Sequence, residues 1–365
     1  MKILFYFGHP AQYLFLRKTI RHLSQSKTNE LTILIKTKDV LESLIKKDGL
    51  EYINILPHER GRSKLSIALS FIKRNITILR LVLKKKPHLL IGTDGTLAQA
   101  GWLTKTSCIT TLEDDYAVIK TLADITYPFT KTILCPQVCD VGKWKNKKTG
   151  YDGYMKLGYL HPNVFIPEDF VIEKYALPEK FILVRLARLT AHHDFGIKGI
   201  DHSLLDTIIN SAESRNYKVF ISSEGNTHKK YDSYQLKIEP SDMHHLLAKA
   251  ALLICDSQSM SVEAAMLGVP SLRYSSFSGR ISVLEELEHS YHLTYGFKPG
   301  EHEKLLSRLN ELLDDPELNV LFKKRRQNML RDKIDVSAFI IWFIENYPES
   351  LRVMKETPDY QHRFK

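Results

Sequence analysis

Short apolar runs alternate with longer amphipathic segments along the first half of the chain. The apolar runs predict six strands, and they read KILFYF, LTILIK, YINIL, LLIGT, CITTL and TILCP. Between these runs, apolar residues recur at helical spacing and predict helices near 11–26, 38–48, 64–85 and 96–105. Strands that alternate with helices are typical of a doubly wound parallel sheet, so the pattern predicts an α/β fold.

A second series of strands follows Pro178 and has the same alternation. Its strands read FILVRL, KVFISS, ALLICDS and PSLRYS, with helices predicted near 201–215, 241–250 and 259–267. Further helices are predicted near 302–314, 316–331 and 337–347. Between the two series, the segment GYLHPNVFIPEDF is rich in proline and aromatic residues and fits neither period, which is typical of an interdomain linker.

The length of 365 residues exceeds what one hydrophobic core usually organises, so two domains are expected. The composition, 43% hydrophobic and 26% charged, is that of an ordinary globular protein. We predict two Rossmann-like domains, 1–160 and 170–335, that face each other across a cleft. The segment 336–365 is predicted to return its apolar helix to the N-terminal domain, where that helix finds a partner.

The chain carries 52 Lys and Arg against 42 Asp and Glu, and its net charge of +10 suits an anionic partner. Basic clusters lie at Lys84–Lys86, Lys143–Lys148 and Lys323–Arg326. None presents a series of aromatic residues on which successive bases stack, so we expect solvated surface and no nucleic-acid partner. Phosphorylated small molecules and an anionic membrane surface stay compatible with this charge.

No apolar run approaches the roughly 18 residues of a membrane-spanning helix. The first apolar run ends at Gly8-His9-Pro10 without a small-residue cleavage site, so it predicts a strand rather than a signal peptide. The four scattered cysteines fit a reducing compartment, and we expect Cys135 and Cys139 to be buried thiols. The expected location is the cytoplasm, with peripheral contact at the inner face of the membrane as a further expectation.

The segment 62–86 combines an apolar helical face with many cations. They are Lys64, Lys73, Arg74, Arg80 and Lys84–Lys86. The favoured interpretation is a helix packed on the sheet with its cations in solvent. The alternative is a basic amphipathic helix that lies on anionic lipid.

The clearest candidate binding site is the turn and helix after the strand that ends at Asp256. Exposed backbone N–H groups and the positive end of the helix dipole suit a diphosphate there. Ser257 and Ser259 add hydroxyl donors on either side of Gln258, and the carboxylate of Glu263 suits the hydroxyls of a ribose. The alternative is a helix with a capping serine and a surface glutamate.

A second candidate site is RLARLTAHHDFGIKG, which also follows a buried strand. Arg185 and Arg188 suit phosphate, while His192, His193 and Asp194 bring together polar groups that could suggest a metal. Adjacent histidines on an extended chain point to opposite faces, and the spacing matches no zinc pattern, so no metal is expected. The same geometry lets one histidine face a ligand and the other support it.

Three titratable residues follow three strands of the first half, namely His9, Asp94 and Glu113. Carboxyl ends of parallel strands lie at one edge of a sheet, so these residues are expected to converge as a general base and its partners. For each residue alone, a helix cap or a turn is the simpler interpretation.

The segments GHPAQ, MKLGYLHPNVF, LARLTAHHD and SDMHHLLAKAALLICDSQSMSVEAAMLGVPSLR resemble the bacterial and archaeal family catalogued as domain of unknown function 354, over nearly the whole chain. That family belongs to the GT-B superfamily of nucleotide-sugar glycosyltransferases and UDP-N-acetylglucosamine (UDP-GlcNAc) 2-epimerases. The resemblance implies a GT-B fold and a nucleotide-sugar co-substrate, most simply a UDP-sugar, with no other cofactor and no metal.

Individual motifs are similar to those of the epimerases. IGTDGTLAQAG resembles the strand that ends in their catalytic aspartate, which corresponds to Asp94, and TTLEDDYA resembles the segment with their catalytic glutamate, which corresponds to Glu113. FILVRLARLTAHHDFG resembles the segment with their catalytic histidine, and either His192 or His193 takes that place. We place His192 with the catalytic residues and His193 with the substrate-binding residues.

DSQSMSVEAAMLG resembles the UDP-binding loop of the epimerases, with Ser257 and Ser259 near the phosphates and Glu263 on the ribose. Three differences weigh against epimerisation, and one of them is that the arginine-rich run beside the catalytic histidine of the epimerases is missing here. Gln258 and Ser259 replace two glycines of that loop, and the turn Gly8–Gln12 replaces an Arg-Pro-Glu turn. The predicted substrate-binding residues are Arg185, Arg188, His193, Ser222, Asp256, Ser257, Gln258, Ser259 and Glu263.

We therefore expect a nucleotide-sugar-dependent glycosyltransferase that acts on a glycan or lipid-linked acceptor in cell-surface polysaccharide or glycolipid synthesis. Its base would be His9, Asp94 or Glu113. The alternative is a UDP-HexNAc 2-epimerase, hydrolysing or not, in which Asp94 and Glu113 transfer protons at C2. A third interpretation is a non-catalytic nucleotide-sugar-binding or scaffold protein.

Overall fold

The computed structural model describes the backbone of residues 1–37, 40–57, 64–186, 199–223 and 228–365, together with their side chains except in 64–69. The chain divides into two compact units. Unit 1 contains Met1–Val164 and Ile334–Lys365, and unit 2 contains Phe165–Lys333. Each unit is built on one parallel sheet whose strands are connected through helices, so the predicted α/β fold class is confirmed.

Within the described residues of unit 1, the sheet has seven parallel strands. They are β1 Lys2–Phe7, β2 Glu30–Lys36, β3 Ile53–Leu56, β4 Leu89–Gly92, β5 Ser107–Thr111, β6 Thr132–Pro136 and β7 Lys148–Tyr151. The connecting helices are α1 Pro10–Ser24, α2 Leu41–Lys47, α3 Lys64–Lys85, α4 Gly95–Thr104, α5 Lys120–Thr126 and α6 Leu157–Leu160. The strand order is β3-β2-β1-β4-β5-β6-β7, so the winding reverses between β1 and β4. At such a reversal, the carboxyl ends of the two strands border a crevice where ligands bind.

The apolar runs explain where the strands lie. Residues Ile3–Phe7 of β1 are all buried, as expected for a central parallel strand with helices on both faces. The six strands predicted in the first half are present as β1 to β6. The prediction missed β7, because its sequence KTGY is short and contains no apolar run.

Helix α3 packs on this sheet through Ile78 and Val82, and it spans the predicted residues. Lys73 and Arg80 are exposed, as the favoured interpretation requires. For Arg74 that interpretation is wrong, because its side chain is only 8% exposed. Arg74 lies four residues before Ile78, on the buried side of the helix, where a carboxylate of the sheet compensates its charge.

The basic cluster Lys143–Lys148 is also less solvated than predicted. The Nζ of Lys147 donates to three carbonyl oxygens in 127–130, and burial lowers its pKa. The Nζ of Lys148 donates to the carbonyl oxygens of Gln137 and Cys139, each at 2.7 Å. These two lysines tie loops together, because buried carbonyl groups need donors. Cys135 and Cys139 are buried free thiols, as predicted.

In the part of unit 2 that the structure describes, the sheet has five parallel strands. They are β8 Phe181–Leu186, β9 Lys218–Ser223, β10 Leu252–Cys255, β11 Ser271–Tyr274 and β12 Thr294–Phe297, in the order β12-β11-β10-β8-β9. The helices are α7 Phe170–Lys174, α8 His202–Glu213, α9 Met243–Leu247, α10 Gln258–Leu267, α11 Ser282–His289, α12 His302–Asp314 and α13 Leu318–Asp332. The four predicted strands are present as β8 to β11, whereas β12, with the sequence TYGF, was missed. Here the winding reverses between β8 and β10.

The last two helices, α14 Val336–Glu345 and α15 Glu349–Glu356, belong to unit 1. Asp335 caps α14 by accepting a hydrogen bond from the backbone N–H of Ala338 at 3.0 Å. Phe339 and Phe343 are buried where α14 packs on α1 and α6. Across the described part of the chain, no helix is long and apolar enough to cross a membrane.

Candidate functional site

Three of the predicted catalytic residues lie at the carboxyl edge of the unit 1 sheet. His9 follows β1, Asp94 follows β4 and Glu113 follows β5. These strands are neighbours in the order β1-β4-β5, so the structure brings the three residues to one edge. His9 and Asp94 border the reversal of the sheet, which is the position where doubly wound sheets bind ligands.

His9 is exposed and caps the N-terminus of α1. Its Nδ1 accepts a hydrogen bond from the backbone N–H of Ala11 at 3.2 Å. The Oε1 of Gln12 accepts from the backbone N–H of Gly8 at 2.9 Å, which fixes the same turn from the other side. An acceptor role for Nδ1 assigns the proton of a neutral His9 to Nε2, so His9 is a donor in this arrangement.

Asp94 caps the N-terminus of α4. Its Oδ1 accepts from the backbone N–H of Thr96 at 2.9 Å and from the Thr96 hydroxyl at 2.7 Å. Its Oδ2 lies 2.5 Å from Nη1 of Arg74, which also lies 3.3 Å from the hydroxyl of Tyr6. Burial by itself would raise the pKa of Asp94, but the Arg74 charge and the Thr96 hydrogen bonds hold it below the ordinary value. Asp94 is therefore ionised at neutral pH.

Glu113 is buried and caps no helix. Its Oε2 lies 2.6 Å from Nζ of Lys156, and its Oε1 accepts from the backbone N–H of Met155 at 2.6 Å. Both side chains are about nine-tenths buried, so the two charges compensate each other in a region with little water. The simpler interpretation, a cap or turn residue, holds for His9 and Asp94 but not for Glu113.

Sequence reasoning missed the cations that hold these carboxylates. Arg74 lies 20 residues before Asp94, and Lys156 lies 43 residues after Glu113. For Arg74 a signal existed, because it shares a helical stripe with two core residues of α3. For Lys156 no local signal exists, because the chain between it and Glu113 passes through two further strands.

In unit 2, the carboxyl ends of β8 and β10 border the reversal of the sheet. Arg185, near the end of β8, donates from Nη1 to the hydroxyl of Ser222 on β9 at 2.7 Å. Asp256 follows β10 and is buried. Gly199 approaches it so closely that a Cβ there would lie 2.3 Å from Oδ2 of Asp256, so this contact requires glycine.

The N-terminus of α10 lies beside these residues. Ser257 is its cap and accepts from the backbone N–H of Met260 at 3.4 Å, while Ser259 is half-buried in the first turn. The Oε1 of Gln258 accepts from Nη1 of Arg273 at 2.6 Å, and its Nε2 donates to the hydroxyl of Ser275 at 2.9 Å. Gln258 is therefore held in one orientation.

Arg273 is a further residue that sequence reasoning missed. It lies on β11 with no exposed side-chain surface, and burial lowers its pKa. Its Nε and Nη2 have no hydrogen-bond partner among the described residues, and Nη2 is 3.9 Å from Oε2 of Glu288. Burial of a guanidinium with so few partners lowers the free energy of unfolding. We therefore infer that Arg273 acts through its hydrogen bond to Gln258.

Glu263 is buried in the second turn of α10, where its Oε1 lies 3.4 Å from Nε2 of His244. The surface glutamate of the simpler interpretation is therefore wrong. The predicted residues Arg188, His192 and His193 lie outside the described residues, so their placement stays a prediction. Within the described ranges, no group of three or more His, Cys, Asp and Glu residues could hold a metal ion.

The two edges suit different chemistry. The edge of unit 1 offers an ionised carboxylate, Asp94, that can accept a proton, and His9, whose Nε2–H can donate a hydrogen bond. The edge of unit 2 combines a helix N-terminus with hydroxyl groups and Arg185, which are the groups that bind phosphate oxygens in proteins. The buried carboxylate of Glu263 one turn further along α10 adds an acceptor for hydroxyl groups.

The architecture is similar to that of solved structures at low sequence identity. The UDP-GlcNAc 2-epimerase from Neisseria meningitidis, bound to UDP-GlcNAc, is 14% identical with a TM-score of 0.69, over 95% of this chain and 100% of that chain. The UDP-GlcNAc 2-epimerase from Methanocaldococcus jannaschii is 16% identical with a TM-score of 0.64, over 87% and 94%. The spinosyn forosaminyltransferase SpnP is 14% identical with a TM-score of 0.60, over 93% and 97%.

No family model matches the chain, and no curated protein matches it either. Membership of the family domain of unknown function 354 therefore stays a prediction. At 14–16% identity, likeness over nearly the whole length of each protein shows a common fold. The chain has the GT-B fold that these epimerases and this glycosyltransferase share.

Proposed function

We propose that this chain is a nucleotide-sugar-dependent glycosyltransferase whose unit 2 binds the donor. The observation that carries the proposal is the N-terminus of α10 at the reversal of the unit 2 sheet, with Ser257 as its cap and Arg185 and Ser222 on the neighbouring strands. The GT-B enzymes with this fold include proteins solved with UDP-GlcNAc, which supports a UDP-sugar as the donor.

The diphosphate of the donor would lie at the N-terminus of α10, where the helix dipole, Arg185 and the serine hydroxyls compensate its charge. Glu263 would accept hydrogen bonds from the ribose, and its contact with His244 orients its carboxylate. Arg188 and His193 are proposed for the same site. With these groups the diphosphate needs no metal ion to compensate its charge.

Asp94 is the base that we assign to the transfer, because it is ionised at neutral pH whereas His9 is a donor in this arrangement. An acceptor hydroxyl attacks C1 of the sugar, and its proton passes to Asp94. The bond between C1 and the diphosphate breaks, and UDP leaves with the electron pair. The acceptor would be a glycan or a lipid-linked molecule of cell-surface synthesis, and the protein would work in the cytoplasm or against its membrane.

A UDP-HexNAc 2-epimerase is the second candidate, and the epimerases among the similar structures favour it. In that reaction Asp94 and Glu113, on neighbouring strands, would transfer protons at C2. For Asp94, the ion pair with Arg74 weighs against this role, because it lowers the pKa of the carboxyl group, and removing a carbon-bound proton at C2 needs a stronger base than accepting the proton of an attacking hydroxyl.

One experiment separates the candidates. The protein is incubated with UDP-GlcNAc in deuterated water without an acceptor, and the products are analysed by mass spectrometry and NMR. Binding without turnover supports the transferase, whereas deuterium at C2 contradicts it and supports the epimerase. Absence of nucleotide binding contradicts both enzymes and supports a non-catalytic scaffold.

Calorimetry with UDP in the presence of EDTA tests the binding site itself. The double variant Ser257→Ala/Glu263→Ala should bind UDP at least about 10-fold more weakly, because it loses a helix cap and a buried ribose acceptor. The matched control is Ser307→Ala/Glu311→Ala on α12, where both side chains are exposed. Equal UDP affinity in the two double variants would contradict the site.

A further inference from the structure

Helix α3 exposes a row of large apolar side chains. Ile72 is 54% exposed, Ile76 46% and Leu83 58%, although the opposite side of the same helix contributes Ile78 and Val82 to the core. At about 100° per residue, the three exposed side chains fall within about 40° of one another around the helix axis. Contiguous apolar surface of this kind marks an interaction site on a folded protein.

A row of cations borders these apolar residues on one side. Lys73, Arg80 and Lys84 are exposed and follow the apolar row around the helix. Neither α3 nor α4 contains an aspartate or a glutamate, so no carboxylate within these helices compensates the cations. We call the surface formed by Ile72, Ile76 and Leu83 with these three cations the α3 face.

The C-terminal end of the neighbouring helix α4 has the same character. Trp102 is 61% exposed and Leu103 59%, and the exposed cation Lys105 follows them. Helices α3 and α4 pack against each other in unit 1. Exposed tryptophan and leucine beside lysine are typical of the boundary between water and lipid, where the indole lies at the level of the headgroups.

We propose that the α3 face docks unit 1 on an anionic lipid surface. The apolar row would enter the boundary of the acyl chains, and Lys73, Arg80 and Lys84 would contact lipid phosphates. Arg74 supports this division of roles, because this buried cation on the opposite side of the helix is paired with Asp94. The inference does not rest on the proposed glycosyl transfer, because it concerns where the protein binds and not what it catalyses.

A second copy of the chain fits this surface less well. A two-fold interface brings the same patch of both copies together, so the cations of one α3 face would meet those of the other. The helix offers no carboxylate to compensate them. An anionic bilayer supplies both the apolar depth and the negative charge.

Flotation of the full chain with vesicles tests the proposal. Phosphatidylcholine vesicles are compared with vesicles in which about one-third of the lipid is phosphatidylglycerol, each at low and high salt. We expect binding to the anionic vesicles at low salt and its loss at high salt. Binding that is equal on neutral vesicles, or absent from both, would overturn the proposal.

Two variants separate the charged and apolar contributions. Lys73→Gln/Arg80→Gln/Lys84→Gln should weaken binding to anionic vesicles roughly 10- to 100-fold. Ile72→Ser/Ile76→Ser/Leu83→Ser should weaken it by a comparable factor. The control Lys323→Gln/Lys324→Gln/Lys355→Gln removes the same charge from exposed lysines elsewhere and should bind like the wild type.

Circular dichroism and thermal unfolding establish that each variant is folded. Sedimentation velocity then tests whether a second copy of the chain binds the α3 face. A wild-type dimer that the apolar variant converts to monomer, without any vesicle binding by the wild type, would identify the α3 face as a contact between copies and overturn the proposal. If the charge control loses as much binding as the α3 variant, the attraction belongs to the whole protein and the proposal is also wrong.

Discussion

The carboxyl edges of the two sheets hold their polar residues in different ways. At the edge of unit 1, Asp94 binds the buried Arg74, and Glu113 binds the buried Lys156. At the edge of unit 2, arginines donate to neutral groups, Arg185 to the hydroxyl of Ser222 and Arg273 to the amide of Gln258. The contacts in unit 1 join opposite charges. The hydrogen bonds in unit 2 join a charged arginine to a neutral group.

We expect substitutions at the edge of unit 1 to act mainly on stability and substitutions at the edge of unit 2 to act mainly on ligand binding. Removal of one partner from a buried ion pair leaves an uncompensated charge and destabilises the fold. Removal of an arginine whose hydrogen bond goes to a hydroxyl or an amide leaves that hydrogen-bond partner neutral, so we expect the main effect on an anionic ligand. The predictions below test this division.

The largest effect is expected at Glu113 and Lys156. Lys156→Met leaves a buried carboxylate without its cation and should lower the free energy of unfolding by about 3–5 kcal/mol, measured by urea denaturation. The double variant Lys156→Met/Glu113→Gln should lose clearly less than the sum of the two single variants, because neither charge remains. A loss below about 1 kcal/mol in Lys156→Met would mean that the pair compensates little in solution.

The second prediction concerns Asp94. Asp94→Asn should lower the free energy of unfolding by about 3 kcal/mol. Arg74 would keep its hydrogen bond to the Tyr6 hydroxyl but lose the Asp94 carboxylate that compensates its charge. The matched control is Arg80→Gln, because Arg80 is an exposed arginine on the helix that carries Arg74. This substitution should change the free energy of unfolding by less than about 0.5 kcal/mol. Equal effects of these two substitutions would contradict a buried pair.

Asp94 also predicts a pH dependence of stability. Because its pKa is lower in the folded chain than in the unfolded chain, its contribution is present above about pH 4 and is lost as the pH falls through the folded value. Asp94→Asn should therefore lose less stability than the wild type between neutral and acidic pH. Parallel pH profiles of the free energy of unfolding for the two proteins would contradict the assignment.

The strands and the residues that follow them could be predicted because their signals are local. An apolar run that ends in a polar turn indicates both a strand and the cap of the next helix. His9, Asp94 and Ser257 follow such runs, and each caps a helix. The short strands β7 and β12 lack such runs. Their places depend on pairing with a neighbouring strand, which no local pattern records.

The partners of the site residues depend on the tertiary fold. Lys156 reaches Glu113 only after the chain has formed β6 and β7, and Arg273 reaches Gln258 from the next strand of the sheet. Arg74 is the exception, because helical periodicity places it in the buried stripe with Ile78. A buried arginine in such a stripe predicts a carboxylate at the end of a nearby strand.

The third prediction concerns Arg185. Arg185→Met should bind UDP about 10- to 100-fold more weakly, because the diphosphate loses a charged donor. Loss of the hydrogen bond to the neutral Ser222 hydroxyl should by itself lower the free energy of unfolding by about 1 kcal/mol. Calorimetry and urea denaturation measure the two effects. Ser222→Ala is compared with it, because it removes the same hydrogen bond but keeps the charge of Arg185, and it should weaken UDP binding less than Arg185→Met does.

The smallest effect is expected at Arg273. The guanidinium is fully buried, and two of its nitrogens have no hydrogen-bond partner among the described residues. Glu288 lies 3.9 Å away, and burial raises the pKa of this carboxyl group, so it can take up a proton when the arginine is removed. Replacement of such a group by an apolar side chain of similar length is often neutral or stabilising.

The free energy of unfolding of Arg273→Met should therefore be equal to that of the wild type within about 1 kcal/mol, or higher. Its UDP affinity should fall only a few-fold, because Gln258 keeps its bond to Ser275 but loses the donor that orients its carbonyl oxygen. Gln258→Leu removes the oriented amide itself and should reproduce that loss, with no further loss in the double variant. A fall of more than about 3 kcal/mol in the stability of Arg273→Met would mean that Glu288 and Arg273 form a true ion pair, and the edge of unit 2 would then resemble that of unit 1.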